Sequence, residues 1–232
     1  MTYKFYYPNG EEVNSRDDFI DYYSRSYYFD TNKNTEDDVL RILKEGIREA
    51  EDVFEILAWK LGKTKRFYSE NEEKYYKGWN KDKLEGETYG IKIDCNDIYD
   101  HIQEWKEKKD KSLECFLNSF KMEKEKKIKG LGNVYLVTLW YFAKKGEDAY
   151  IYDKYAYKAL KAIEKTMIEE KFEVGSGLSV SDVSSMSIDK ACEQYKEYAD
   201  LVNKIFGEIK DKIGYRKIDQ ALWKYGHLFP DK

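Results

Sequence analysis

Nine of the eleven residues 133–143 are apolar or aromatic, all but Asn133 and Thr138. A segment that is apolar on every side reads as a helix buried in protein. At about 1.5 Å per residue it is about 16 Å long, too short to cross a bilayer, which takes roughly 20 apolar residues. Apolar runs elsewhere are shorter still, so no transmembrane helix is expected. Prolines occur only at Pro8 and Pro230. Nothing between them stops a helix in the way proline does.

The flanking sequence supplies further helices. Thr35 precedes Glu36, Asp37 and Asp38, a capping residue followed by acids that suit a helix start. Apolar residues then recur at near-helical spacing through Leu61. This predicts one long or two short helices across 36–61, with a break near Gly46. Asp94 opens a helix carrying Ile98, Ile102 and Trp105, and residues 112–127 form another. Helices are also expected over 154–170, 188–212 and 215–226. Residues 62–92 read mostly as loop with a short helix at 70–77, and 173–187 as a Gly/Ser-rich surface loop. The first 34 residues show no clear period and read as an irregular segment. Strand signal is weak, so the fold class is all-α, or mainly α, in a single helical domain over 1–232.

Composition narrows the function. Aromatic residues make up 16% of the 232, too many for a disordered chain. Three cysteines (Cys95, Cys115 and Cys192) and two histidines (His101 and His227) leave little material for a disulfide framework, a metal site or a Ser-His-Asp triad. The expectation is a cytoplasmic monomer with reduced thiols, no metal and no small-molecule cofactor. Its N-terminus lacks the h-region of a signal peptide. The overall charge of −4 hides a basic window: residues 121–165 carry a net +5, leaving −9 for the rest. Such asymmetry suits a locally basic face on an acidic body, although a run of solvated lysines has the same composition.

The segment from Ile128 to Leu160 carries the chemistry. Gly130 and Gly132 flank Leu131, where a tight reversal can lead into a helix start that attracts phosphate. Lys126, Lys127 and Lys129 add positive charge beside it. Next come the apolar helix, a short polar turn, Tyr150-Ile151-Tyr152 and Asp153. Asp153 lies 21 residues beyond Gly132 and opens the following helix. In isolation, the glycines read equally as helix punctuation and Asp153 as an N-cap.

In combination they resemble the helix-hairpin-helix DNA glycosylase superfamily, also known as HhH-GPD. Ile128-Lys129-Gly130-Leu131-Gly132 is similar to that family's hydrophobic-x-Gly-hydrophobic-Gly hairpin. Tyr150-Ile151-Tyr152-Asp153 is similar to its step into the catalytic aspartate. The match covers about 33 residues within 121–165. Trp59 and its neighbours, with Arg216 to Trp223, more loosely resemble proteins with an 8-oxoguanine-glycosylase-like fold. The resemblance implies an enzyme that binds double-stranded DNA and hydrolyses the N-glycosidic bond of a flipped, modified or damaged base. DNA would be contacted by Lys127, Lys129, Gly130, Leu131, Gly132 and Asn133. Asp153 would be catalytic, and Tyr152, Trp223 and Tyr225 are candidates to line the base pocket. The family's lyase lysine position holds Val134, which cannot form a Schiff base, so the implied enzyme is monofunctional. That valine also suits a non-catalytic DNA-binding or sensing protein on the same scaffold. The acidic body suits a helical interaction module that never meets DNA.

Overall fold

The structure, a computed structural model, describes residues 3–30, 36–66, 74–88, 91–120, 131–168 and 172–231. Among them are nine α-helices: α1 (Arg16–Asp30), α2 (Glu36–Glu45), α3 (Ala50–Lys60), α4 (Cys95–Glu107), α5 (Leu113–Ser119), α6 (Asn133–Ala143), α7 (Lys154–Lys165), α8 (Ile188–Ile213) and α9 (Tyr215–Gly226). Four short strands form two antiparallel hairpins. β1 (Thr64–Arg66) pairs with β2 (Lys74–Tyr76), and β3 (Glu85–Thr88) with β4 (Ile91–Asp94). The chain is mainly helical, and none of the described helices is long and apolar enough to cross a membrane.

The helix starts follow the chemistry of their caps. Asp94 accepts from the amide of Asn96 at 2.9 Å to open α4, and Ser112 accepts from that of Cys115 at 3.1 Å to open α5. The break between α2 and α3 begins at Gly46 and runs through Arg48, whose amide donates to buried Asp52 at 2.9 Å. Asp52 also accepts from Arg41 at 2.9 Å, so its charge is paired where water cannot reach it.

Several segments differ from the sequence expectation: α5 ends at Ser119 where a helix over 112–127 was expected, residues 121–127 lying outside the described residues, and β1, β3 and β4 form where loop was expected. The first 34 residues contain α1, with Phe19, Ile20, Tyr23 and Tyr27 buried on one face. Residues 74–76, expected to end a short helix, form β2 instead. Helix α7 ends at Lys165 rather than near 170, and the hydroxyl of Thr166 donates back to the Ile163 carbonyl at 2.6 Å.

The residues group into two compact units. The first comprises Met1–Thr31, Tyr152–Asp182 and Gln194–Lys232. Here α9 packs on α1 and α7 around an aromatic core of Phe5, Phe19, Tyr23, Phe206, Tyr225 and Phe229. The second comprises Asn32–Ile151 and Val183–Glu193. In it α6 is enclosed by α2, α3, α5 and the 3-10 turn Val183–Ser185. Its residues 136–142 are all buried, as an apolar helix requires. Phe54 on α3 receives the rings of Tyr76 and Trp79, which anchors the hairpin region to this core.

Candidate functional site

Beyond α6 the chain turns sharply over residues 144–148, where Lys145 and Asp148 adopt positive φ. Asp153 then has extended backbone, with φ −141° and ψ 138°, and its carboxylate accepts from the amide of Tyr155 at 2.8 Å. It is the N-cap of α7 and is partly exposed. Tyr152 beside it is fully buried against the rings of Tyr157 and Tyr198. Its hydroxyl accepts from the Gln194 amide and donates to the Ser181 carbonyl at 3.3 Å. The residue that presents Asp153 is therefore fixed by packing and by hydrogen bonds.

An aromatic stack borders this turn. The imidazole of His227 lies on Tyr155 with ring centres 3.6 Å apart, and its centre is 4.0 Å from that of Trp223, with the two rings tilted by 51°. His227 Nδ1 is 2.8 Å from the Trp223 carbonyl oxygen, which can only accept, so Nδ1 carries a proton. His227 is exposed at its edge, but the rings packed on it strip away part of its water and lower its pKa, while that carbonyl and the charge of Asp153 act in the opposite sense. Desolvation prevails, so the ring is mostly neutral at pH 7. Gly226 makes the stack possible. A Cβ there would fall 1.8 Å from the carbonyl oxygen of Tyr155, so only glycine lets α9 come this close to α7.

Two ammonium groups complete the surroundings. Lys154 and Lys158, one turn apart on α7, both reach Asp231, at 3.0 and 2.6 Å. Lys158 is 1% exposed and also donates to the Phe229 carbonyl at 3.1 Å. The two lysines hold the Asp231 carboxyl below the usual carboxylate range. Each Nζ lies 5.6 Å from the centre of the Tyr155 ring.

No protein-family model, curated protein or solved structure matches this chain. One turn of α7 presents a carboxylate that can stabilise positive charge or accept a proton. Beside it are rings able to stack on a planar ligand and lysines able to hold an anion. Among the described residues, no group of three or more His, Cys, Asp or Glu side chains is placed to hold a metal ion.

The expected site residues fare differently. Lys127, Lys129 and Gly130 lie outside the described residues. Gly132 is the N-cap of α6, and a Cβ on it would come within 3.2 Å of Ser184. Glycine here serves close approach to the Val183–Ser185 turn. Asn133, expected to touch DNA, is 1% exposed and donates to the carbonyls of Val183 and Met186 at 2.9 and 3.0 Å. Its amide is committed to the protein interior, and Leu131 at 8% exposure is likewise a packing residue. Tyr152 and Tyr225 are both 0% exposed. They build the core and offer no face to a base, which corrects two of the three pocket candidates. Trp223 is partly exposed, with the rings of Tyr27, Tyr155 and His227 around it. Nothing in the sequence motifs singles out Tyr155, Lys158, Asp231 or His227. The spacing of Lys154 with Lys158, and of Trp223 with His227, is the helical i, i+4 signal that pairs them.

Proposed function

We propose that the chain is a helical DNA-binding enzyme that hydrolyses the N-glycosidic bond of a modified or damaged base, with Asp153 as its catalytic carboxylate. The observation that carries this reading is the position of Asp153. It is a partly exposed acid capping α7, and along the chain it follows an apolar helix whose N-cap, Gly132, lies 21 residues earlier. This is the order of elements that the glycosylase resemblance requires downstream of its hairpin. Trp223 and His227, close together beside the same turn, are the rings on which an extruded base would stack.

The chemistry needs little else. Breaking the bond between base and deoxyribose builds positive charge on the sugar, as in glycoside hydrolysis. A carboxylate about 4 Å away stabilises that charge by about 4 kcal/mol at an effective dielectric near 20. The same group can take a proton from the attacking water, worth about 10²–10⁴-fold. Val134 offers no amine, so the abasic product leaves by hydrolysis without strand cleavage through a Schiff base.

The test is base release from duplexes carrying a panel of oxidised, alkylated and deaminated bases, analysed by mass spectrometry. Asp153→Asn keeps a side-chain acceptor for the Tyr155 amide and removes the charge. Release is expected to fall by about 10² or more, while duplex binding and melting temperature stay close to wild type. A substitution that leaves release at the wild-type rate defeats the proposed role of Asp153.

A further inference from the structure

The Lys154–Lys158–Asp231 cluster has a feature that a structural ion pair does not need. Lys158 is 1% exposed, yet the carboxylate that neutralises it belongs to a side chain 56% exposed, in the irregular segment after α9. A buried ammonium must be paired, because stranding it in the interior is costly. Here the pairing group approaches from the solvent side. The second ammonium, Lys154, converges on the same carboxylate from one turn earlier on α7. Two cations thus share one anion, and the anion is the exchangeable member. A phosphate group, with more acceptor oxygens than a carboxylate, satisfies two converging ammonium groups in the same way. Lys154 is also the neighbour of Asp153 in the first turn of α7.

We propose that Lys154 and Lys158 form a phosphodiester-binding site, and that Asp231 fills this site in the free protein as an internal substitute for a phosphate of the DNA strand. The inference rests on the reading of Asp153 as the catalytic acid, because a phosphate held here belongs to the strand whose sugar that acid faces. Binding exchanges one anion for another. The lysines stay paired in both states, and the Asp231 carboxylate is released to water. Asp231 thereby weakens binding to DNA in general and sets a threshold that only a well-held strand passes.

The experiment measures wild type, Asp231→Asn and Lys154→Gln against a fluorescein-labelled DNA duplex by anisotropy, over a range of salt. Asp231→Asn, whose amide oxygen and the Phe229 carbonyl still accept from Lys158, should fold with a lowered melting temperature and bind about threefold to tenfold more tightly, since the competing anion is gone. Lys154→Gln should bind more weakly, with a salt slope lower by about one. Lys158 is left in place because it is part of the core. Amine acetylation followed by mass spectrometry provides a direct readout. Lys154 should react faster in Asp231→Asn than in wild type, and the duplex should protect it in both. Unchanged affinity and acetylation in Asp231→Asn, with wild type still binding the duplex, overturns the phosphate site and leaves the Asp153 reading standing. If no form binds the duplex, the DNA reading falls and the phosphate site falls with it.

Discussion

Gly226→Ala is the sharpest structural test of the turn that holds Asp153. Two effects of the substitution oppose each other. Alanine is favoured over glycine inside a helix by about 1 kcal/mol, and Gly226 is the last residue of α9. Against this, the new Cβ would lie 1.8 Å from the Tyr155 oxygen, 2.5 Å from its carbonyl carbon and 3.0 Å from its Cα. All three are backbone atoms of α7, so no flexible side chain can swing away. Ordinary contact begins at about 3.4 Å, so the two backbones must part by about 1.5 Å. A gap of 0.5–1 Å already forfeits a quarter to a half of each dispersion contact. The contacts at risk include the stack of His227 on Tyr155. Overpacking costs typically about 1–3 kcal/mol and sometimes more. With backbone on one side of the clash, the upper end applies, and a net loss of about 2 kcal/mol survives the gain in helix propensity. For a chain of this size that lowers the melting temperature by about 4–8 °C. Thermal unfolding followed by near-ultraviolet circular dichroism, with urea titration alongside, reads it directly. A variant as stable as wild type, or more so, refutes the close approach of α9 to α7 on which the site geometry stands.

Other perturbations probe separate links. Asn133→Ala removes the donor to the Val183 and Met186 carbonyls, one of the contacts being fully buried, and should cost about 2 kcal/mol or more in urea unfolding. A cost below about 0.5 kcal/mol would mean that the Val183–Ser185 turn is not held this way. For His227, desolvation by the packed rings depresses the folded pKa below the ordinary value near 6.5, so the folded state prefers the neutral ring. Its contribution is fully present above about pH 6.5 and is lost as pH falls through the depressed value. His227→Gln should therefore lose less stability than wild type between about pH 7.5 and 5.5, and equal slopes would show that the ring is not desolvated.

The helical framework was legible because its signals are local. Residues 133–143 had to be buried on composition alone, and Asp94, Ser112 and Asp153 each cap the helix that follows. Helix α1 was hidden by its composition. Its buried face uses Tyr23 and Tyr27 where aliphatic residues would have shown the period, and a further tyrosine, Tyr22, with Asp21, Ser24, Arg25 and Ser26, fills the positions between. The hairpins were hidden for a different reason. Strands of three or four residues carry too little sequence for a period of two, and they are held by tertiary packing of Tyr76 and Trp79 on Phe54. The pocket candidates fared unevenly because a tyrosine near a motif reads the same whether it faces a ligand or the core. Tyr152 and Tyr225 face the core. The pairing of Lys158 with Asp231 joins residues 73 positions apart, a separation at which helical periodicity has no reach.

Capping and catalysis at Asp153 make different demands on one side chain. The cap needs an oxygen that accepts from the Tyr155 amide, and asparagine provides one about as well as aspartate. Stabilising a cationic sugar needs net negative charge, which asparagine lacks. The two demands are compatible, since a carboxylate has roughly four acceptor positions and a cap requires only one of them. They are also mutually useful. The hydrogen bond that starts α7 restricts how the carboxylate can turn, and that restriction is what a catalytic group requires of its support. Alanine breaks both demands, so Asp153→Ala mixes a cap loss of about 0.5–2 kcal/mol with the loss of charge. Asparagine separates them. If Asp153 only begins a helix, the asparagine and wild-type proteins show the same base release. If it also faces the reacting sugar, they melt together and part only when base release is measured.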